Sequence, residues 1–271
     1  MATTQALVLA RGLGTRMRAA DPQAQLTPDQ LRAAESGSKA MMPIAGRPFL
    51  DYVLNAIADA GVRRVGLVVP PVHHALAHQY ELEAPPVRLE IDFVVQTEAR
   101  GTADAVLAAA QWSDGAPFLV MNGDNLYPAD VLRQLAALDE PGLSGFRRGD
   151  LVRSSNIPDA RVTSFALIDR DDRGYLARIV EKPSAGMVQR AGADALVSMN
   201  CWRFDPRIFS ACRDVPISAR GEFELPQAVA LAIERGARFR VIAAAGPVLD
   251  LSTRGDTAAV AARLEGVAVQ L

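Results

Sequence analysis

Three carboxylates and three cations stand where side chains can do chemistry in a folded chain. Asp124, in VMNGDN, follows the apolar run Phe118–Met121, and Asp250, in PVLDLSTRGD, follows Val248–Leu249. An acid just past the carboxyl end of a buried strand sits where α/β sheets bind ligands, and it can hold a hard cation. Capping a helix or closing a turn is the alternative for either acid taken alone. Arg16 ends the loop Gly12-Leu13-Gly14-Thr15-Arg16, whose glycines let backbone N–H groups approach a phosphate or a flat base. Its planar charged fork suits phosphate oxygens, and a plain tight turn is the competing reading. Lys39, in SKAMMPIAGRP, precedes a helix start, where a lysine is otherwise a surface residue. Glu181-Lys182-Pro183 sets an acceptor beside a cation, held by the proline. Such a pair can grip a sugar hydroxyl and a phosphate; a solvated strand end explains it equally well.

Gln96, in VVQTEARGTADAV, offers one donor and one acceptor, the complement of the imide edge of uracil or thymine. Gly101 permits close backbone approach at the following helix start, and a turn is the alternative for the pair. His74 and His78 have helical metal-ligand spacing, but no third ligand accompanies them and an exposed helix is expected. No nucleophile has a neighbouring base: GxSxG is absent, and the three histidines all fall within residues 73–78. A sugar phosphate needs neither. It is largely dianionic at neutral pH, its second pKa being about 6, so cations that offset charge and hold the reactants in line are enough. A dinucleotide-binding fingerprint would need a glycine where Met17 stands, and GxxxxGK[ST] is missing.

These residues need a framework. With 271 residues, 49% of them hydrophobic, the chain can bury a large core. A net charge of −2 leaves no basic excess for coating nucleic acid, so none is expected as a partner; Arg147–Arg148 reads as solvated loop charge. Cys201 and Cys212, in apolar contexts, are expected to be buried reduced thiols rather than a disulfide framework. No stretch reads as a membrane span or signal peptide, and a cytoplasmic protein is expected. Strand and helix patterns alternate, which favours a parallel sheet covered on both faces. Leu7–Ala10, Arg64–Val69, Ile91–Gln96 and Phe118–Met121 read as strands. Pro48 through Gly61 marks an amphipathic helix, and Thr102–Trp112 an alanine-rich one. Val162–Ile168 and Tyr175–Glu181 flank a polar turn and read as a hairpin in a β-rich insertion. Leu196–Phe204 and Arg238–Ala244 are later strands, with helices near Glu224–Glu234 and Thr257–Leu264. Residues 18–38 are the least patterned, a flap or an extra helix.

Taken together the segments resemble the sugar-1-phosphate nucleotidyltransferase family, which includes glucose-1-phosphate thymidylyl- and uridylyltransferases. LARGLGTRM is similar to L-A-x-G-x-G-T-R-[LM], SKAMMPIAGRP to P-K-x-L-x-P-[VI]-x-G-x-P, and VVQTEARGTADAV to the family's base loop. GDN, EKP and LDLSTRGD resemble its metal, sugar-gripping and second metal segments. The resemblance implies a three-layer α/β/α Rossmann-like, GT-A-like fold with a mixed, mostly parallel sheet and a β-rich sugar-binding insertion. Residues 1–271 would form one domain, 1–135 mainly binding nucleotide and 136–271 mainly sugar phosphate. Leu9, Gly12, Gly14, Thr15, Gln96, Gly101 and Thr102 would bind the nucleotide, with Arg16 and Lys39 on the triphosphate. Asp124 and Asp250 would hold Mg²⁺. Glu181, Asn200 and Gly123 would bind the sugar, and Lys182 its phosphate. A sugar 1-phosphate, a hexose in the first instance, would react with UTP or dTTP. No membrane partner is implied, an appended second catalytic domain is not expected, and a homo-oligomer is left open. Arg11 departs from the family's small residue, Ser38 from its proline, Cys201 and Trp202 from a glycine and tyrosine, and Leu249 from an aromatic. The connection 17–38 is also longer than usual. A non-catalytic nucleotide-sugar regulator of the same fold is the alternative, although a sensor need not keep Arg16, Lys39, Asp124 and Asp250 together. A glycosyltransferase would carry Asp-x-Asp where GDN stands.

Overall fold

Glycine, proline and short apolar runs cut the chain into strands and helices that alternate for the first half and then give way to β-structure. The computed structural model describes residues 3–12 and 14–271, so Leu13 lies outside the described residues. The strands are β1 (Gln5–Leu9), β2 (Pro43–Ile44), β3 (Arg47–Pro48), β4 (Arg64–Val69), β5 (Glu90–Val95), β6 (Phe118–Asn122) and β7 (Asn125–Leu126). They continue with β8 (Gly142–Arg147), β9 (Ala166–Arg170), β10 (Leu176–Glu181), β11 (Leu196–Ser198), β12 (Trp202–Phe204), β13 (Arg240–Ala244) and β14 (Leu249–Asp250). The helices are α1 (Thr15–Arg18), α2 (Pro28–Ser36), α3 (Phe49–Asp59), α4 (His74–Ala77), α5 (Thr102–Leu107) and α6 (Ala129–Ala137). After them come α7 (Arg148–Ser154), α8 (Ala185–Ala191), α9 (Ile208–Asp214), α10 (Leu225–Glu234) and α11 (Asp256–Leu264).

Ten strands form one mixed sheet, in the order β10-β9-β11-β8-β12-β6-β1-β4-β5 with β13 on β8. The block β6-β1-β4-β5 is parallel, β13 runs parallel to β8, and the reversed strands are β12, β11 and β10. Most strands of the sheet therefore point one way. Side chains alternate across each strand, and β1 shows what that builds. Ala6 and Val8 pack with Leu50, Val53 and Leu54 of α3 and Leu132 and Leu135 of α6. Leu7 faces Val106 of α5, Phe209 of α9 and Val229 of α10. Helices thus cover both faces, a three-layer α/β/α arrangement. No helix among the described residues is long and apolar enough to cross a membrane.

The second half departs from the sequence reading in ways that shape the site. The expected strand Leu196–Phe204 is broken, because Asn200 takes a left-handed conformation, φ 59°, between β11 and β12. Along one edge of this broken strand, β9 pairs with β11 while β6 pairs with β12. The sheet therefore parts around Met199–Cys201. The hairpin's first strand begins only at Ala166, after a 3₁₀ turn over Asp159–Ser164. The alanine-rich helix ends at Leu107, and tertiary packing overrides its propensity: Trp112 lies against Gly66 and donates from Nε1 to Asp92 at 2.9 Å. Residues 18–38 contain α2, started by a capping box between Thr27 and Gln30 and stopped at left-handed Gly37. Arg148 is less solvated than expected, paired with Asp159 at 2.6 Å. Cys201 and Cys212 are buried free thiols whose pKa burial pushes up to about 12. His74 and His78 are exposed.

Candidate active site

Where the sheet parts, a cleft opens between the carboxyl end of β6 and the start of β9. Arg16, Asp124, Glu181, Asn200 and Asp250 all line it, together with Asn122, Asn125, Phe165, Ala166 and Ser252. Asp124 arrives from the loop after β6. Asp250 is brought to it by a two-strand pairing, β14 on β7, that sets Asp250 opposite Asn125. Leu251 N–H then donates to Asp124 O at 2.9 Å, which locks the two loops together. Lys39 joins from the turn after α2, its Nζ 2.7 Å from Asp124 Oδ2 and only 15% exposed. Sequence segments separated by more than 200 residues thus share one site.

The electrostatics are tightly balanced. Asp250 is 2% exposed. Its Oδ1 accepts from Asn125 Nδ2 and Ser252 Oγ, each at 2.9 Å, and Oδ2 pairs with Arg161 Nη1 at 2.9 Å. Burial, then the charge of Asp124, raises its pKa above the ordinary carboxylate range. Arg161 also bridges to Asp256 at 2.8 Å, and Asp256 accepts from the backbone N–H groups of Ser252 and Thr253. Glu181 feels burial first and the neighbouring Glu224 second, with Arg220 opposing them, and its pKa rises to about 7. Buried Tyr127 donates to Met199 O at 2.5 Å, fixing the break in the strand. Trp202 Nε1 donates to Asn200 Oδ1 at 3.1 Å. Asn200 in the cleft wall and Lys182, which follows Glu181 out of it, are both non-glycine residues at positive φ, a backbone cost of about 1–3 kcal/mol each that surrounding contacts must hold.

Not every expected residue comes to the cleft. Lys182 is exposed and absent from its lining, with its N–H bonded to Phe165 O at 3.1 Å. Gln96, Gly101 and Thr102 lie beyond β5, three strands from β6. There the imide reading of Gln96 needs correction. Its Nε2 donates to Gly101 O at 3.1 Å and to Asp104 Oδ2 at 2.8 Å, so both amide hydrogens are spent and only the carbonyl oxygen is left for a ligand. Gly101 permits a close approach, but to Phe223, whose carbonyl oxygen a Cβ would meet at 2.4 Å. Thr102 Oγ1 accepts from Leu225 N–H at the start of α10. Gly14 packs on Gly37 in the same manner, whereas a Cβ on Gly12 would meet nothing within 4 Å. Thr15 is exposed, Leu9 is half-buried, and Leu9 O accepts from Gly123 N–H at 3.0 Å, joining the two loops at the sheet edge.

Arg161 and Arg220 are missed by the sequence reading. Arg220 and Glu224 do carry a signal, the i,i+4 spacing of an ion pair, and they meet at 2.8 Å through Nε. A second signal was composition: of 29 basic residues two are lysine, Lys39 and Lys182, both in the segments singled out above.

Residues 5–246 match the family described as nucleotidyl transferase, and the chain belongs to that family of enzymes. It is 28% identical over 264 residues to the UTP–glucose-1-phosphate uridylyltransferase AglF of Haloferax volcanii, covering 96% of each chain. A glucose-1-phosphate thymidylyltransferase of Streptomyces antibioticus is 28% identical over 233 residues, covering 86% of this chain and 58% of that protein. A UDP-glucose pyrophosphorylase solved with UDP-glucose superposes with a TM-score of 0.72 at 17% identity, covering 97% of this chain and 98% of the other. That likeness establishes a shared nucleotidyltransferase α/β fold.

Proposed function

We propose that this enzyme joins a sugar 1-phosphate, in the first instance a hexose 1-phosphate, to a nucleoside triphosphate, UTP or dTTP being favoured. The products are a nucleoside diphosphate sugar and pyrophosphate. The observation that carries this reading is the convergence of Arg16, Lys39, Asp124, Glu181, Asn200 and Asp250 on one polar cleft. The names of the uridylyl- and thymidylyltransferase relatives support the same reaction class.

An oxygen of the sugar phosphate dianion attacks the α-phosphorus in line, a new P–O bond forms, and the bond to the β-phosphate breaks to release pyrophosphate. Arg16 and Lys39 offset charge on the leaving group. Glu181 accepts from sugar hydroxyls beside Asn200, and exposed Lys182 swings onto the attacking phosphate. Arg220 stabilises the ionised form of Glu181. Among the described residues no group of three acidic, histidine or cysteine side chains is placed to hold a metal. Two carboxylates on one cleft nevertheless suit Mg²⁺, which binds through one or two of them and leaves its other positions to phosphates and water. Asp124 and Asp250, close enough for one charge to raise the other's pKa, have the hard oxygen donors required. They would hold the ion, which when bound supplies charge neutralisation at the phosphates.

Pyrophosphate release, measured across sugar 1-phosphates with UTP, dTTP, GTP, ATP and CTP, tests the proposal. Release with UTP or dTTP is expected. Absence of release with every pairing refutes it.

A further inference from the structure

The glycine-rich loop carries an arginine at position 11, and its side chain does not point idly into solvent. Arg11 Nη2 donates to Thr97 O at 3.0 Å. Arg11 follows β1 and Thr97 follows β5, with β4 lying between them in the sheet, so the side chain straps the carboxyl ends of three parallel strands. That is the edge at which such sheets take nucleotides. Its Nε is buried and has no hydrogen-bond partner among the described residues. A buried guanidinium N–H left unpaired is costly, which points to an acceptor supplied from outside the chain.

Gln96 immediately precedes Thr97 and is 4% exposed. Its amide hydrogens are committed to Gly101 and Asp104, leaving Oε1 as an acceptor without a donor among the described residues. The two strand ends tied together by Arg11 therefore carry one unpaired donor and one acceptor. At Gly12, the next residue after Arg11, an added Cβ would meet nothing within 4 Å. A ring N–H adjacent to a carbonyl matches this pair: the imide of uracil or thymine, or the lactam of guanine. Cytosine and adenine present a bare ring nitrogen next to an amino group. Against Gln96 and Arg11 they would set acceptor on acceptor and donor on donor.

We infer that Arg11 is a specificity-determining residue, its Nε donating to the base carbonyl while Gln96 Oε1 accepts the ring N–H. The inference rests on the nucleotidyltransferase reading and adds to it the element that selects the base. Calorimetric binding of UTP, GTP, CTP and ATP to the wild-type protein, without sugar phosphate, is the test, repeated with Arg11→Met and Arg11→Lys. Wild type should bind UTP at least about tenfold more tightly than CTP, the scale of discrimination expected from one unmatched buried hydrogen bond. Both variants should bring the ratio within about threefold, Arg11→Lys included, because it keeps the charge but loses Nε. An unchanged ratio in the variants, or equal weakening of all four nucleotides, overturns the inference and leaves Arg11 as a structural strap. If wild type binds no triphosphate at all, the nucleotidyltransferase reading fails first and this inference falls with it.

Discussion

Glu181→Gln should abolish a pH dependence that the cleft imposes on the protein's own stability. The Glu181 carboxyl is raised from 4.5 to about 7, by burial first and by Glu224 second. The folded chain therefore holds a proton that the unfolded chain releases between those values. Stability from this residue is complete below pH 4.5 and is lost as pH climbs through 7. A shift of that size corresponds to about 3 kcal/mol. Glu181 is partly solvent-accessible at the cleft mouth, and screening reduces the expected effect to about 1–2 kcal/mol.

Glutamine keeps the shape and carries no charge, so the variant lacks this loss. For a chain of this length each kcal/mol moves Tm by about 2–4 °C. Differential scanning fluorimetry from pH 4.5 to 8.5 should show the variant gaining about 2–8 °C on wild type across the window, with a plateau above pH 8. The same titration should reach function, since the ionised carboxylate is the form that accepts from hydroxyls. Wild-type KM for the sugar 1-phosphate should fall as pH rises through 7 by more than the ionisation of the substrate phosphate, second pKa about 6, accounts for, and the variant's should follow the substrate alone. Parallel melting curves at every pH would refute both the burial argument and the placement of Glu181 beside Glu224.

Two further outcomes are specific to this chain. Lys39→Met should lower kcat by about 10²-fold or more while circular dichroism stays native, and UTP with Mg²⁺ should shield Lys39 from amine acylation read by mass spectrometry. Labelling that ignores the nucleotide counts against its place on the triphosphate. Gly101→Ala forces a Cβ to 2.4 Å from Phe223 O at φ 114°, and should cost about 1–3 kcal/mol in chemical denaturation whether or not nucleotide is present. A stable variant that loses only nucleotide binding would return Gly101 to the base site.

The parts of the fold legible in the sequence are those whose signals are local. The helix opened by Pro48 and closed near Gly61 came out at Phe49–Asp59, since its proline, apolar spacing and glycine lie within one short window. The parallel strands were readable for the same reason. What the sequence hid is long-range. Nothing near Asp250 states that it will pair with Asn125, 125 residues earlier, or that Arg161 will take its second oxygen. The break at Asn200 was also silent, because Leu196–Phe204 is mostly apolar and the kink is imposed by Tyr127 and by two strands competing for one edge. Gln96 looked free to pair with a base because Asp104, which consumes one of its hydrogens, is eight residues away around a turn.

The scarcity of lysine bears on mechanism. Arginine fills nearly every basic position of this chain, yet the residue against Asp124 is a lysine. A guanidinium there would meet the carboxylate through a planar two-point fork and resist leaving it. An ammonium is a compact point charge on a flexible stem, with three donors that can turn toward a new partner. At 2.7 Å from Asp124, Lys39 neutralises the acid, and in the proposed reaction a triphosphate would bring a stronger concentration of negative charge to the same spot. An exchangeable contact is what the site requires if Asp124 is to be released for a cation as the nucleotide arrives. Arg161 does the opposite at Asp250, gripping two carboxylates in a buried bridge. One acid is thereby held fixed and the other is held ready.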